Sequence, residues 1–361
     1  MVDSACLRII GTRQSSISQG HDLLAYHLSK SSWKVSGWQG SLRQRLIARF
    51  FRSRYQRLSP AQIYHIVLTN WFSRTNLVHL VWGDHLVEFV DRPDRCILTL
   101  HQPFEAWTEA RWENIGKCAG VICMAERECV EIRRRYPHLL CVYIPHGVDT
   151  GFWRDLPGPP KRQICAVGRH LRNFKMLLRV AHALLDRHPD LNFFWVVNPD
   201  YKLPPALVSQ LPPERFKILR NLTAEELHQL YAESWLFCTP YDNVAASNAI
   251  VESMASGTPI FTTRVGGMSS YGDAGIITMV ENNDDAALLD AVTSCLASPE
   301  LRAKLGARGR EHAEKYFNWP VVIAAHEAFY GQVLRARPRT GPGSDQPAAD
   351  KPAAQFDGNR N

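Results

Sequence analysis

Gly168-Arg169-His170-Leu171-Arg172-Asn173-Phe174-Lys175 sets three cations within seven positions of a glycine. A glycine lets backbone come close to a ligand. The segment follows the apolar run Ile164–Val167, and a helix is predicted from Asn173, so its positive end would point the same way. This spacing suits a bound phosphate; it also suits a loop of solvated charges. Further along, Ser247-Asn-Ala-Ile-Val-Glu252-Ser-Met-Ala-Ser-Gly257-Thr-Pro precedes Gly266-Gly267. Ser247 is expected to cap a helix, with Glu252 about a turn and a half inside it. A carboxylate there could accept the two hydroxyls of a ribose, or be an ordinary solvated side chain. Gly266 and Gly267 could offer N–H groups to a ligand or form a turn.

Several chemistries lose their support. The sequence has no G-x-G-x-x-G after a strand and no G-x-x-x-x-G-K-[ST]. It has no D-x-D pair and no His/Cys cluster at metal spacing, so no metal site is expected. Nine cysteines form no C-x-x-C pair. Several sit in apolar runs such as Val121-Ile122-Cys123, which reads as small buried hydrophobes in a reducing compartment, neither a disulfide framework nor a zinc site.

The elements that must position these residues follow from the pattern of apolar runs. Strands are expected at 164–167, 193–197, 216–219, 235–239, 259–262 and 276–279. Helices are expected at 174–187, 224–232, 248–256, 285–297 and 300–316, the second opened by the capping box Thr223-Ala-Glu-Glu226. Strands alternating with helices argue a parallel, doubly wound sheet. The first half repeats the rhythm with strands near 7–10, 77–82, 95–100, 120–124 and 140–145. We read an N-terminal domain over 1–150, a second over 151–319, a final helix over 320–335 that returns to the first, and a disordered tail over 336–361. No run reaches the ~18 apolar residues of a membrane span, and the first residues lack the basic and apolar regions of a secretory signal.

The series Gly168-Arg169…Lys175, Asn248-Ala-Ile-Val-Glu252-Ser-Met-Ala-Ser-Gly-Thr-Pro and Val265-Gly-Gly267 resembles the donor domain of retaining family-4 glycosyltransferases. His146-Gly-Val-Asp149 resembles their hinge motif, and Tyr316-Phe-Asn-Trp319 with its following helix resembles their last, returning helix. The likeness spans roughly 140–335; in 1–135 it rests on strand order and on His101 after Ile97–Leu100. It implies the α/β GT-B fold: two Rossmann-like, doubly wound parallel-sheet domains facing across a cleft. It further implies that Arg169 and Lys175 neutralise a departing diphosphate without metal. By the same likeness Glu252 holds the ribose, Asn248, Gly266 and Gly267 line the donor pocket, and His101 faces the reacting sugar. His101 could equally be a hydrogen-bonded strand-end histidine. The sequence departs from the family pattern twice. Val244 stands where an acid is usual, with Asp242 as a shifted substitute if the loop bulges. Arg169 and Lys175 are one residue further apart than is common, so Arg172 is expected to share the phosphate.

Of 42 Lys+Arg against 35 Asp+Glu, residues 1–150 hold 19 and 13. Residues 42–58 alone carry six arginines and no acid. On a helical wheel Leu42, Leu46, Ile47, Phe50, Phe51, Tyr55 and Leu58 form a broad apolar arc. Arg45, Arg49 and Arg52 lie opposite, and Arg43, Arg54 and Arg57 interrupt it. A basic amphipathic helix suits an anionic membrane surface; a partly packed core helix is the other reading. Nucleic acid is not expected, because no reading motif accompanies the charge. Phe104, Trp107 and Trp112 could stack on an acceptor or belong to the core. The expectation is a metal- and cofactor-independent, retaining hexosyltransferase, cytoplasmic and peripheral at the inner membrane face, where Arg43, Arg45, Arg49, Arg52, Phe50 and Phe51 make contact. It would move sugar from a nucleotide sugar to a glycan or lipid-linked acceptor, in polysaccharide or glycolipid synthesis. A catalytically impaired sensor or assembly partner, or an epimerase of the same fold, is the alternative.

Overall fold

A computed structural model describes residues 7–11, 20–31, 33–56, 58–202 and 208–336. Cys6, Arg57 and the tail after Ala336 lie outside the described residues. The first half runs β1 (Leu7–Ile10), α1 (Gly20–Lys30), β2 (Lys34–Ser36), α2 (Leu42–Phe50), α3 (Pro60–Phe72), β3 (Leu77–Leu80), β4 (Cys96–Leu100), α4 (Glu109–Gly116), β5 (Gly120–Cys123), α5 (Glu126–Arg135) and β6 (Cys141–Tyr143). The second runs β7 (Lys161–Val167), α6 (Phe174–Arg187), β8 (Asn192–Val196), β9 (Phe216–Leu219), α7 (Ala224–Glu233), β10 (Ser234–Cys238), α8 (Asn248–Ala255), β11 (Ile260–Thr263), β12 (Ile277–Val280), α9 (Asp285–Ala297), α10 (Pro299–His312) and α11 (Trp319–Ala336).

Two six-stranded sheets result, ordered β2-β1-β3-β4-β5-β6 and β12-β11-β10-β7-β8-β9, with every pairing parallel. Parallel strands are covered by helices on both faces and so read as continuous apolar runs; β3, β4, β5 and β11 are buried at every residue. In the second sheet the order reverses between β7 and β10. Ligands of doubly wound sheets bind outside the carboxyl ends of strands at such a switch point, and the loops after β7 and β10 carry the cations and the Ser247–Glu252 helix.

Each sheet has an apolar cluster on both faces. The chain passes between domains twice. Val148 donates its N–H to Phe317 O at 2.8 Å and bridges to Asn318. From there α11 crosses back, placing Phe329, Tyr330 and Val333 against Leu7, Ile9 and Ile122 of the first sheet. Gly120 accommodates that crossing, since a Cβ there would lie 2.9 Å from Val333 and 3.0 Å from Phe329.

The arginine-rich segment differs from the wheel. Only Leu42–Phe50 is helical, capped by a Ser41–Gln44 capping box, and residues 51–56 form turns. Gln44 and Ala48 face inward. Gln44 turns in because its amide donates to Gly37 O and accepts from the Gln39 N–H. Leu42, Leu46 and Phe50, four residues apart, are therefore 74%, 57% and 79% exposed. Phe51, expected at a membrane, packs instead against the first core with Tyr55 and Leu58. Trp107 and Trp112 are likewise buried core residues, with Phe104 packed against them, and do not offer faces to an acceptor.

Candidate active site

On the second domain the β7 loop is built around Arg172. Its guanidinium folds back over Tyr241, 4.2 Å from the ring centroid, and donates to His170 O at 2.7 Å and to Ser247 Oγ at 3.5 Å. Gly168 lies beneath it with φ +88°, where a Cβ would meet Nη2 at 2.9 Å. Leu171 takes φ +57°, a conformation that costs a non-glycine residue about 1–2 kcal/mol. The neighbouring loop holds it there, as the Asp242 N–H donates to Leu171 O at 2.9 Å. Arg169 is exposed and lies over Tyr201 at 5.2 Å. Lys175, exposed in the first turn of α6, makes no ion pair among the described residues. Asn173 caps that helix by accepting from the Met176 N–H, so both free cations flank its positive end.

The facing loop supplies α8. Ser247 occupies the cap position without capping. Its hydroxyl bonds Tyr241 Oη at 2.8 Å, and its N–H donates to Tyr271 Oη at 2.6 Å. Asn248, the first residue of α8, has a buried Oδ1 with no partner among the described residues. Glu252 is buried and accepts from Tyr231 Oη at 3.3 Å. Burial pushes its carboxyl up to about 8, so it is mainly protonated at neutral pH.

The two glycines shape the loop, and the Gly267 N–H is taken up within it. Gly267 gives its N–H to Val244 O at 2.6 Å. Gly266, at φ +51°, sits so tightly on Asn243 and Val244 that a Cβ would collide with the Asn243 side chain. Val244, at the position of the usual acid, is buried in a core cluster. Asp242 is exposed and accepts from Asn282 Nδ2 at 3.3 Å.

Across the cleft, His101 ends β4 and is held by a residue the sequence reading missed. The fully buried carboxylate of Asp84, in the loop after β3, accepts from the His101 N–H at 2.8–2.9 Å and the Gln102 N–H at 2.8 Å. It also meets His101 Nδ1 at 3.3 Å. That contact orients the imidazole, whose ring lies 5.3 Å from that of His146. Asp84's signal was an acid just beyond an apolar strand, at the carboxyl edge of the sheet. The domains meet here: Gln102 Oε1 and His170 Nε2 are 3.3 Å apart. Ser270 receives the Glu126 N–H and the Tyr143 hydroxyl, each at 2.9 Å. A separate cavity of about 700 Å³ lies at the opposite edge of the second sheet, beside Trp235 and Arg302, away from these groups.

Two doubly wound domains joined by a double crossover, with facing carboxyl edges, make a GT-B fold. Residues 161–298 match the family described as Glycosyl transferases group 1. Sucrose-phosphate synthase from Thermosynechococcus elongatus superimposes with TM-score 0.68 at 16% identity, covering 92% of this chain and 99% of that one. Anabaena HepE in complex with UDP and glucose gives 0.67 at 14% identity, covering 91% and 99%. In sequence, the chain is 27% identical over 195 residues to D-inositol 3-phosphate glycosyltransferase of Corynebacterium glutamicum, covering 50% of this chain and 46% of that protein. It is 27% identical over 286 residues to MMP alpha-(1->4)-mannosyltransferase of Mycolicibacterium hassiacum, covering 70% and 69%. The alignment thus spans about half the length of the first of these relatives and two thirds of the second.

Proposed function

We propose that the protein is a retaining, metal-independent glycosyltransferase that uses a nucleotide-sugar donor. The observation that carries the reading is the pair of free cations, Arg169 and Lys175, at the positive end of α6. They face α8 across the switch point, with Arg172 bracing the loop between them. In this reading the cations stabilise the charge that grows on the diphosphate as the glycosidic bond breaks. Glu252 takes the ribose hydroxyls, Asn248 Oδ1 gains a donor from the ligand, and His101, oriented by Asp84, meets the sugar. The mannosyltransferase and inositol-phosphate glycosyltransferase relatives and the UDP-bound neighbour support a nucleotide donor and a glycan-like acceptor.

The acceptor, in the same reading, is presented at an anionic membrane surface met by α2. Leu42, Leu46 and Phe50 form an exposed apolar stripe flanked by exposed Arg43, Arg45, Arg49 and Arg52. In this reading the contact is peripheral and at the cytoplasmic face; no helix among the described residues is long and apolar enough to cross a membrane. Buried Val244 favours a second reading, a nucleotide-sugar sensor without turnover.

A panel of nucleotides and nucleotide sugars tests the site by thermal shift. A donor that raises the melting temperature, with about tenfold weaker binding in Lys175→Ala or Arg169→Ala, supports the assignment; that factor corresponds to ~1.4 kcal/mol. No stabilisation by any nucleotide overturns it. Binding with neither hydrolysis nor transfer, even with membrane extract as acceptor, favours the sensor.

A further inference from the structure

Three cysteines that are far apart by metal-motif standards converge under the first domain's cleft edge. Cys123 ends β5, Cys129 lies in α5 and Cys141 begins the edge strand β6. Their sulfurs all lie within 4.8 Å of one another, with Cys123 Sγ and Cys141 Sγ 3.7 Å apart. All three residues are buried and none is in a disulfide. The other described cysteines, such as Cys165 and Cys238, are buried without gathering into such a group.

We propose that Cys123, Cys129 and Cys141 form a structural three-thiolate site for a thiophilic divalent ion of the zinc or cadmium class. Geometry supports this first. Two sulfurs bound to one zinc at ~2.3 Å sit roughly 3.8 Å apart in a tetrahedral arrangement, close to the Cys123–Cys141 separation already present. Charge supports it next. Each ligating thiol gives up its proton to solvent, so three thiolates with one divalent ion leave a net charge of −1. The Arg133 guanidinium lies alongside, donating to Cys141 O at 2.7 Å, and offsets that charge. A monovalent ion would leave −2 against the same arginine. Cys141, on the edge strand, is 9% exposed, against 0% and 2% for Cys123 and Cys129.

The site would staple β5, α5 and β6 directly behind the 124–126 segment. That segment meets the second domain through the Glu126 N–H to Ser270 and through Ala125 against Gly267. Its role is therefore in holding the first domain's side of the cleft, separate from the metal-free chemistry proposed above.

The test is titration of the reduced full chain with Cd(II). One equivalent is expected to produce the ultraviolet thiolate-to-cadmium charge-transfer band, release protons and raise the melting temperature by several degrees. Cys129→Ala should weaken binding at least 100-fold, and Cys165→Ala should leave it unchanged. Absence of the band at one equivalent, or an equal band in Cys129→Ala, overturns the proposal. Should Cys129→Ala fail to fold, native-state alkylation of the unsubstituted chain decides. Metal is expected to protect Cys123, Cys129 and Cys141 together, and equal labelling with and without metal refutes the site.

Discussion

Glu252 carries a conflict between packing and recognition. Its carboxyl is buried against Tyr231, and burial moves its proton affinity from the ordinary 4.5 to about 8. The folded state therefore holds a proton that the unfolded chain releases, so this group favours folding most below pH 4.5, and that advantage is lost as pH rises toward 8. Between pH 5 and 8 the loss from this residue is roughly 3 kcal/mol. Glu252→Gln should flatten that slope and make the protein more stable than the parent at pH 8, while weakening nucleotide binding. Urea unfolding at the two pH values measures it, and parallel pH profiles would contradict the buried protonated carboxyl. Asp84 shows the opposite use of burial, since three contacts hold its carboxylate and it in turn holds His101. Asp84→Asn should lower kcat ~10- to 100-fold with KM little changed. An unchanged kcat in a less stable protein would make Asp84 structural only.

At the scale of elements, the apolar stripe of α2, Leu42, Leu46 and Phe50, turns away from the core. Ser41 and Gln44 satisfy the first-turn N–H groups, and Gln44 then ties the helix to Gly37 and Gln39, so the polar side must face in. Ser41→Ala should cost about 1 kcal/mol of stability through the lost cap. Leu46→Asp with Phe50→Asp should leave stability almost unchanged, because both side chains are already in solvent, yet abolish binding to anionic vesicles. Co-sedimentation checks this. Equal binding to neutral vesicles, or no weakening with salt, would remove the electrostatic account.

At the scale of the whole molecule, the two domains are linked by a covalent double crossover and by a few polar contacts at the cleft. Trp319 sits over Gly147 and stacks on His27 with ring centroids 4.5 Å apart, joining both crossovers to the first domain. A Cβ at position 147 would collide with the indole. Gly147→Ala should therefore displace the start of α11 and reduce donor affinity and thermal stability together. Thermal shift with and without nucleotide measures both. Loss of stability with donor affinity intact would confine the effect to packing.

The sequence by itself determined the second domain almost residue by residue. The expected strands and the observed β7 to β12 differ by at most three residues at an end, because each is an apolar run closed by turn residues. The helix at 174–187 was placed within its observed bounds, and the Thr223–Glu226 capping box is present. Local rules suffice where local signals are strong. The three-residue β2 was not legible, being too short to show a period. Only the tertiary structure decided the rest. Parallel pairing of β3 with β4 brings Asp84 beneath His101 from 17 positions away. Packing of α5 beside β5 and β6 gathers three cysteines that the sequence scatters. Of the apolar arc drawn over 42–58, Leu42, Leu46 and Phe50 do face outward, whereas Phe51, Tyr55 and Leu58 pack into the core because the helix ends at Phe50; a hydrophobic pattern says that a face needs cover and not where it will be found. Which side of α2 is buried was settled by the hydrogen bonds of one glutamine. Sequence periodicity encodes local geometry; juxtaposition of distant groups is a property of how the strands are ordered, and no run of residues records it.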